Sequence, residues 1–177
     1  MTAATVSTAC TTGLRLCAVS LDGDLNSQAN PQLKREQAIA IFDLLDKNTF
    51  TPVGHGGGPY RLCLALANAR LMMTITTDKA EHVTGHHLSL TPVRRLLKDY
   101  ALVCDSYYDA MARANPERLE AIDTGRRAIH NEAAELLKRR LWSKVAVDAD
   151  TARRLFTLIH VLLMHSKDYG GRIQGRA

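Results

Sequence analysis

Side chains that could do chemistry concentrate in two stretches, and the first is a glycine-rich loop. Residues 54–61 contain four glycines together with His55, Pro59 and Arg61, and an apolar run follows directly. Consecutive glycines let the backbone approach a ligand closely, and successive amides in such a turn can form a concave site for an anion. His55 and Arg61 would flank that site as hydrogen-bond donors. The candidate ligand-binding residues of this loop are His55, Gly56, Gly57, Gly58 and Arg61.

The second stretch lies in a predicted helix and carries a charge where packing calls for an apolar residue. Arg126 falls at the three- and four-residue spacing that otherwise carries apolar side chains. Its guanidinium must pair with a carboxylate such as Asp123, or line a pocket and bind a carboxylate or phosphate. Arg127, His130 and Asn131 share the adjacent face and could bind an anion or supply a general acid or base. A structural ion pair beside a solvated polar face is the alternative.

Neither stretch matches a motif that identifies a nucleotide or metal site. The glycine loop lacks both glycine-rich phosphate-binding patterns, and a strand is predicted after it where those motifs require a helix. Adjacent His86 and His87 would point to opposite faces of a strand, and His160 and His165 lie five residues apart on a helix. Neither spacing suits one metal ion. We therefore predict no metal site and no cofactor.

Composition is that of an ordinary globular chain. The 177 residues are 46% hydrophobic and 23% charged, and the longest apolar run, 155–164, is too short to span a bilayer. The four cysteines show no CxxC pair, which favours free thiols in a cytoplasmic setting. We expect a disordered leader over residues 1–12, a single domain over 13–167 and a flexible glycine- and arginine-rich tail over 168–177.

The net charge of +5 belongs entirely to the second half of the chain. Residues 1–90 carry seven Lys and Arg against seven Asp and Glu, whereas residues 91–177 carry sixteen against eleven. The basic clusters begin or end predicted helices, as solvated faces usually do, and lie at 94–98, 138–144 and 153–154. They permit an acidic protein or nucleic acid as partner, but no predicted strand carries an aromatic stacking platform for RNA.

The apolar periodicity predicts an α+β fold, with strands first and helices later. Strands are predicted at 14–21, 60–66, 71–77 and 86–90, with a short edge strand at 144–148. Helices are predicted at 33–47, from Thr91-Pro92 to Met111, from Asn115-Pro116 onward, and from Asp148 or Asp150 onward. We expect a small antiparallel sheet of about four strands packed against one N-terminal helix and three C-terminal helices.

Five strings of residues, taken together, are specific enough to indicate a family. They include Ala40-Ile41-Phe42-Asp43-Leu44, Pro52-Val53-Gly54-His55 with Gly57-Gly58-Pro59-Tyr60-Arg61-Leu62, Leu88-Ser89-Leu90-Thr91-Pro92, Gly125-Arg126-Arg127 with His130-Asn131-Glu132, and Arg153-Arg154-Leu155-Phe156. Over residues 14–163 the chain resembles UPF0262, a bacterial family of uncharacterised proteins. It departs at Gly56, where members often carry an acidic residue, and beyond Met164. The resemblance implies no activity and no catalytic residues.

Three functions remain as alternatives. The first is a small cytoplasmic binding or regulatory domain, with an anionic small molecule bound between the glycine loop and the helix face of Arg126 and His130. The second is an enzyme that uses His55 or His130 as general acid or base, although no nucleophile or carboxylate pair accompanies them. The third is an interaction module whose basic helices dock an acidic protein or nucleic acid. No membrane partner is expected.

Overall fold

Strands precede most of the helices, as the apolar pattern predicts. The computed structural model describes residues 5–7, 13–23, 31–68, 70–164 and 166. Its strands are β1 (Thr5–Ser7), β2 (Leu16–Asp22), β3 (Phe50–Pro52), β4 (Tyr60–Ala67), β5 (Arg70–Thr77), β6 (His82–Ser89) and β7 (Val145–Val147). Its helices are α1 (Pro31–Asp46), α2 (Arg94–Ala112), α3 (Pro116–Leu141) and α4 (Ala149–Met164). The α+β class and the division into one early and three late helices are confirmed.

The main sheet has the strand order β1-β2-β4-β5-β6. The pairs β4–β5 and β5–β6 are antiparallel, as predicted, and short turns connect them. The pair β2–β4 is parallel, so the sheet is mixed and not wholly antiparallel. Parallel neighbours need a long crossover connection, and here α1, β3 and the glycine loop supply it.

One face of the main sheet is buried because its side chains alternate along each strand. Leu62 and Leu64 of β4 lie opposite Ile75 and Met73 of β5, and all four are almost completely buried. Arg61 points to the other face and is exposed. The helices cover the buried face and contribute the rest of a single apolar core.

A second sheet of two strands joins distant parts of the chain. In it, β3 pairs antiparallel with β7, so Phe50 lies opposite Val147. Two contacts flank this sheet: Thr49 N donates to Thr151 Oγ1 at 2.8 Å, and Val53 N donates to Lys144 O at 2.9 Å. The strand β7 was predicted, whereas β3 is too short to show a pattern.

The starts of the two longest helices test the predicted caps. At α3, Asn115 Oδ1 accepts from Arg118 N at 3.1 Å and Pro116 lies in the first turn, which confirms the prediction. At α2, the helix begins after Val93, which makes no side-chain cap, so the predicted start at Thr91-Pro92 is early. Residues 91–93 form a turn in which Val93 N bonds to Leu90 O.

Three further predictions concern the leader, the tail and the start of β6. The strand β1 lies within the predicted leader, residues 1–12, whose other residues fall outside the described part of the chain. The predicted tail, residues 168–177, falls outside it as well. The strand β6 begins four residues earlier than predicted, because its first half is polar and carries no apolar alternation.

The α2–α3 hairpin extends beyond the core. At its core end, Tyr100 of α2 and Leu137 of α3 are buried. Beyond Tyr100 on α2 and before Ala133 on α3, Ala110 is the only buried residue that the structure describes, and Leu102 and Tyr108 are exposed. The hairpin therefore buries its outer turns only partly.

Candidate functional site

The glycine loop between β3 and β4 is fastened by its own side chains. Tyr60, fully buried at the base of the loop, donates from its hydroxyl to His55 O at 2.9 Å. His55 Nδ1 accepts from Gly57 N at 3.3 Å and lies 3.1 Å from the Tyr60 hydroxyl. Because Nδ1 accepts from this amide, the proton of the neutral imidazole belongs on Nε2. His55 therefore uses one ring nitrogen to hold the loop.

Two of the loop glycines are required by geometry. A Cβ on Gly58 would lie 2.2 Å from Gly13 O, so only glycine allows these two backbone segments to touch. Gly54 has φ +77°, a left-handed conformation that favours glycine. Gly56 has open space around the position of a Cβ, whereas a Cβ on Gly57 would meet the His55 ring at 3.2 Å.

The backbone amides near the loop are also engaged within the protein. Tyr60 N donates to Arg15 O at 2.8 Å, and Asp78 N donates to Pro59 O at 3.1 Å. With Gly57 N bonded to His55, these contacts fix the loop where β2 and β4 begin. An anion would have to compete with internal acceptors for the amide of Gly57.

On α3, one carboxylate holds both arginines of the second candidate stretch. Asp123 accepts from Arg126 Nη2 at 2.6 Å, which confirms the predicted pair, and from Arg127 Nη2 at 2.7 Å. The hydrogen bond from Arg126 keeps the pKa of Asp123 below its usual value. The Arg126 guanidinium also lies 6.0 Å from the centre of the Tyr107 ring. Arg126 is thus half-buried between a carboxylate and an aromatic ring.

His130 lies among aromatic side chains from the two neighbouring helices. Its ring stacks on Tyr100 of α2 with centroids 4.6 Å apart and meets the edge of Phe156 of α4 at 6.0 Å. Its Nε2 lies 3.4 Å from Thr157 Oγ1. Burial, followed by the charges of Arg126 and Arg153, lowers the pKa of His130 to about 4. The imidazole is therefore neutral at neutral pH.

Asn131 connects α3 to α4 through an arginine that the sequence did not single out as a site residue. Its Oδ1 accepts from Arg153 Nε at 3.0 Å and from Nη2 at 2.7 Å, and Arg153 also pairs with Asp150. Arg153 and Thr157 lie on successive turns of α4, and both face the cluster on α3. Only folding brings them beside α3, since local spacing relates neither residue to His130.

Two further groups beside Arg126 stay protonated. Burial, with the hydrogen bond to Cys104, raises the pKa of Tyr100 to about 12. Burial also raises the pKa of the Cys104 thiol above its usual value. A thiol is a weak nucleophile until it loses its proton, so this environment does not activate Cys104. The cluster is better suited to binding than to nucleophilic catalysis.

The glycine loop and the cluster around His130 lie at different places relative to α3. The loop approaches the chain just after α3, where Val53 bonds to Lys144. His130 precedes the last residue of α3, Leu141, by eleven residues, which corresponds to about 16 Å along the helix axis. The described contacts of His55 are with Tyr60 and Gly57, whereas those of His130 are with α2 and α4. Arg61 lies on the exposed face of β4.

The described residues contain neither a metal-binding group of side chains nor a membrane-spanning helix. Within the described ranges, no three His, Cys, Asp or Glu side chains are grouped so that they could hold a metal ion. Among the helices of that same part of the chain, none combines the length and apolar character needed to cross a membrane.

Comparison with known proteins gives a consistent family. Residues 13–165 match the Uncharacterised protein family (UPF0262). A UPF0262 protein of Rhizobium etli (strain CIAT 652) is 54% identical over 148 residues, which cover 84% of this chain and 94% of the relative. One of Allorhizobium ampelinum is 56% identical over 135 residues, or 76% and 86% of the two chains. One of Nitrobacter hamburgensis is 52% identical over 148 residues, or 84% and 90%. No solved structure matches. The chain therefore belongs to the UPF0262 family.

Proposed function

We propose that this chain is a small binding or regulatory domain that recognises an anionic small molecule on the facing surfaces of α3 and α4. The site consists of Arg126, Arg127, His130, Asn131 and Arg153. The observation that supports it is a pair of guanidiniums from two helices, those of Arg126 and Arg153, whose charges act on one neutral imidazole, with Arg127 next to Arg126 on α3. Guanidinium groups bind carboxylates and phosphates through two parallel hydrogen bonds, which suits an anionic ligand.

The ion pairs of the proposed site include exposed side chains, so a ligand could replace a carboxylate there at a small cost in free energy. The side chain of Arg127 is 76% exposed, and that of Asp150, which pairs with Arg153, is 64% exposed. Exposed ion pairs contribute only about 0 to 1 kcal/mol, so a ligand could replace Asp150 on Arg153 at little cost. Arg126, held by Asp123 and Tyr107, would supply the fixed part of the site.

The neutral imidazole gives the proposed site a pH dependence. Arg126 and Arg153 are among the causes that lower the pKa of His130, after burial. A bound anion would offset both positive charges and raise that pKa. Proton uptake by His130 would then accompany ligand binding, so affinity would increase as pH falls toward 5.

The glycine loop is not part of the proposed ligand site. His55, Gly57 and Tyr60 form their hydrogen bonds with one another. The loop approaches the C-terminal end of α3, and about 16 Å of helix separates that end from His130. We assign the loop a structural role in the crossover to β4, which depends on Gly58 and Tyr60, and we place Gly56 and Arg61 outside the ligand site.

We also propose that the protein works in the cytoplasm. Cys17 is a buried free thiol and Cys63 and Cys104 are half-buried free thiols, which suits a reducing compartment. Fractionation of bacterial cells followed by immunodetection tests this, and recovery from the periplasmic fraction would contradict it.

A thermal-shift screen tests the ligand site. Orthophosphate, citrate, nucleotides and sugar phosphates would be added at pH 6.0 and 7.5 in low salt. At a hundred times its Kd, a ligand contributes about 2.7 kcal/mol, which raises the Tm by about 5 to 10 °C for a chain of this size. Arg153→Gln should abolish the response. Arg95→Gln, which breaks an exposed pair with Asp99 on α2, is the matched control and should keep it.

A second readout follows His130 directly. In NMR titrations, the His130 imidazole should titrate near pH 4 without ligand, and at a higher pH with any anion that raises the Tm. If no anion stabilises the protein, or if Arg153→Gln responds as the wild type does, the proposed site is wrong. An unchanged pKa of His130 with a stabilising anion would place the ligand elsewhere.

A further inference from the structure

The last turns of α3 carry an exposed aromatic side chain in basic surroundings. Trp142, which is the only tryptophan in the sequence, is 77% exposed. With Glu135, Lys138 and Arg139 it lines an open depression of about 350 Å³. Spacings of three, four and seven residues bring these four side chains to one face of the helix.

Positive charge dominates this surface. Lys138 pairs with Glu135 at 3.4 Å, and Arg139, Arg140 and Lys144 add three exposed cations around the end of the helix. Basic residues in the last turn of a helix interact favourably with the helix dipole, and this interaction is enough to explain the charges. The helix dipole does not explain why the Trp142 indole is exposed to water, since burying such a ring is favourable.

The end of α3 lies beside the edge strand β6. His86 lies close enough to the end of α3 that, after burial, the charges of Lys144 and Arg140 help to lower its pKa. His87, the next residue, is exposed on the opposite face of the same strand. The positive charge on this side of the end of α3 therefore comes from Arg140 and Lys144.

We propose that this surface, the Trp142 patch, binds single-stranded nucleic acid, with one base stacked on the indole and neighbouring phosphates held by Arg139 and Lys144. Single-strand binding proteins combine aromatic rings for bases with cations along the backbone. At about 350 Å³ the depression lies at the lower end of the range for small-molecule sites, which suits one nucleotide unit. The other side chains that line the depression are charged, whereas a helix that lies on a membrane presents a broad apolar face.

The inference does not rest on the proposed anion site, which lies about two turns earlier on α3. Trp142 and Arg139 take no part in that site, and Arg153 takes no part in the Trp142 patch. Loss of one binding activity by mutation can therefore be separated from loss of the other.

Tryptophan fluorescence and oligonucleotide anisotropy test the proposal on the full chain. A 20-nucleotide oligo(dT) should quench the emission of Trp142 to saturation in 50 mM salt, since no other tryptophan contributes. A fluorescein-labelled oligo(dT) should bind, and its affinity should fall steeply between 50 and 200 mM salt. Free thymidine monophosphate should bind much more weakly, because it offers one phosphate only.

Variants separate stacking from charge. Trp142→Ala should weaken binding by about tenfold, within the range for one stacked base, whereas Trp142→Phe should keep most of the affinity. Arg139→Gln should reduce the salt slope by about one. Arg95→Gln, with the same loss of charge on α2, should bind as the wild type does. Circular dichroism would confirm that each variant is folded.

Four results would overturn the proposal. They are an unchanged affinity of Trp142→Ala, equal losses in Arg139→Gln and Arg95→Gln, equal affinity for the monophosphate and the oligonucleotide, and no quenching. Phosphatidylglycerol vesicles are the competing partner. A blue shift of the emission with vesicles, without quenching by oligo(dT), would assign the Trp142 patch to a membrane surface instead.

Discussion

Two glycines of the same loop should respond oppositely to alanine. At Gly58, the added Cβ would lie 2.2 Å from the backbone oxygen of Gly13, whereas real Cβ contacts are almost never under 3.0 Å. The two backbone segments must therefore separate by at least about 0.8 Å. At Gly56, no atom lies within 4 Å of the added Cβ and the backbone is not left-handed.

The expected magnitudes follow from these contacts. Forcing an extra methyl group against packed backbone costs about 1 to 3 kcal/mol, so Gly58→Ala should lower the Tm by about 2 to 12 °C. Gly56→Ala should stabilise by about 0.4 to 1 kcal/mol, because alanine restricts the unfolded chain without straining the folded one. Its Tm should rise by about 1 to 4 °C.

Urea unfolding monitored by circular dichroism, with calorimetry for the Tm, measures both variants. The comparison removes the common effect of changing glycine to alanine in this loop. If Gly58→Ala were as stable as Gly56→Ala, the close approach of Gly58 to Gly13 would be wrong, and with it the structural role assigned to the loop.

Three further predictions concern Thr151, His130 and the hairpin. Thr151→Val should cost about 1 to 3 kcal/mol in urea unfolding, because the amide of Thr49 loses its buried acceptor. His130 takes up a proton near pH 6.5 in the unfolded chain but only near pH 4 in the folded one. Stability should therefore fall as pH drops from 6.5 to 4, and His130→Gln should flatten that fall. Leu96→Ala should cost about 2 to 5 kcal/mol, and Leu102→Ala less than about 0.5 kcal/mol, since only Leu96 is buried.

Each of these has an internal control. Thr124→Val removes a hydroxyl from an exposed site on α3 and should leave stability nearly unchanged. His130→Gln serves the same purpose for the pH dependence. Equal effects of the two threonine variants, a His130 that titrates near 6.5, or equal losses in the two leucine variants would each contradict the described burial.

Local patterns predicted those elements in which one residue type repeats at a fixed spacing. The alternation of Leu62 and Leu64 with Arg61 and Cys63 identified β4, and Asn115-Pro116 identified the start of α3, because both signals are local. Elements defined by partners elsewhere were missed. The strand β3 exists because β7 lies beside it, and three residues carry no periodicity of their own.

The residues of the candidate site also fall into two groups: those that local spacing predicts and those that only the fold brings together. Arg126 was found because it interrupts an apolar seam, and its pairing with Asp123 was predictable from a spacing of three residues. Arg153 was not found, because it approaches Asn131 only when α4 packs on α3. Likewise, the sequence shows four glycines in the loop, but only the path of Gly13 explains why Gly58 has to be one.

The parallel pairing of β2 with β4 has a consequence for the order in which the chain folds. The strands β4, β5 and β6 are joined by short turns, so their contacts close small loops and form early. The strand β2 reaches β4 only after α1 and the glycine loop have crossed over, which requires closing a much longer loop. We therefore expect β2 to dock late, with its contact between Gly13 and Gly58 among the last to form. A variant such as Gly58→Ala should then accelerate unfolding far more than it slows refolding.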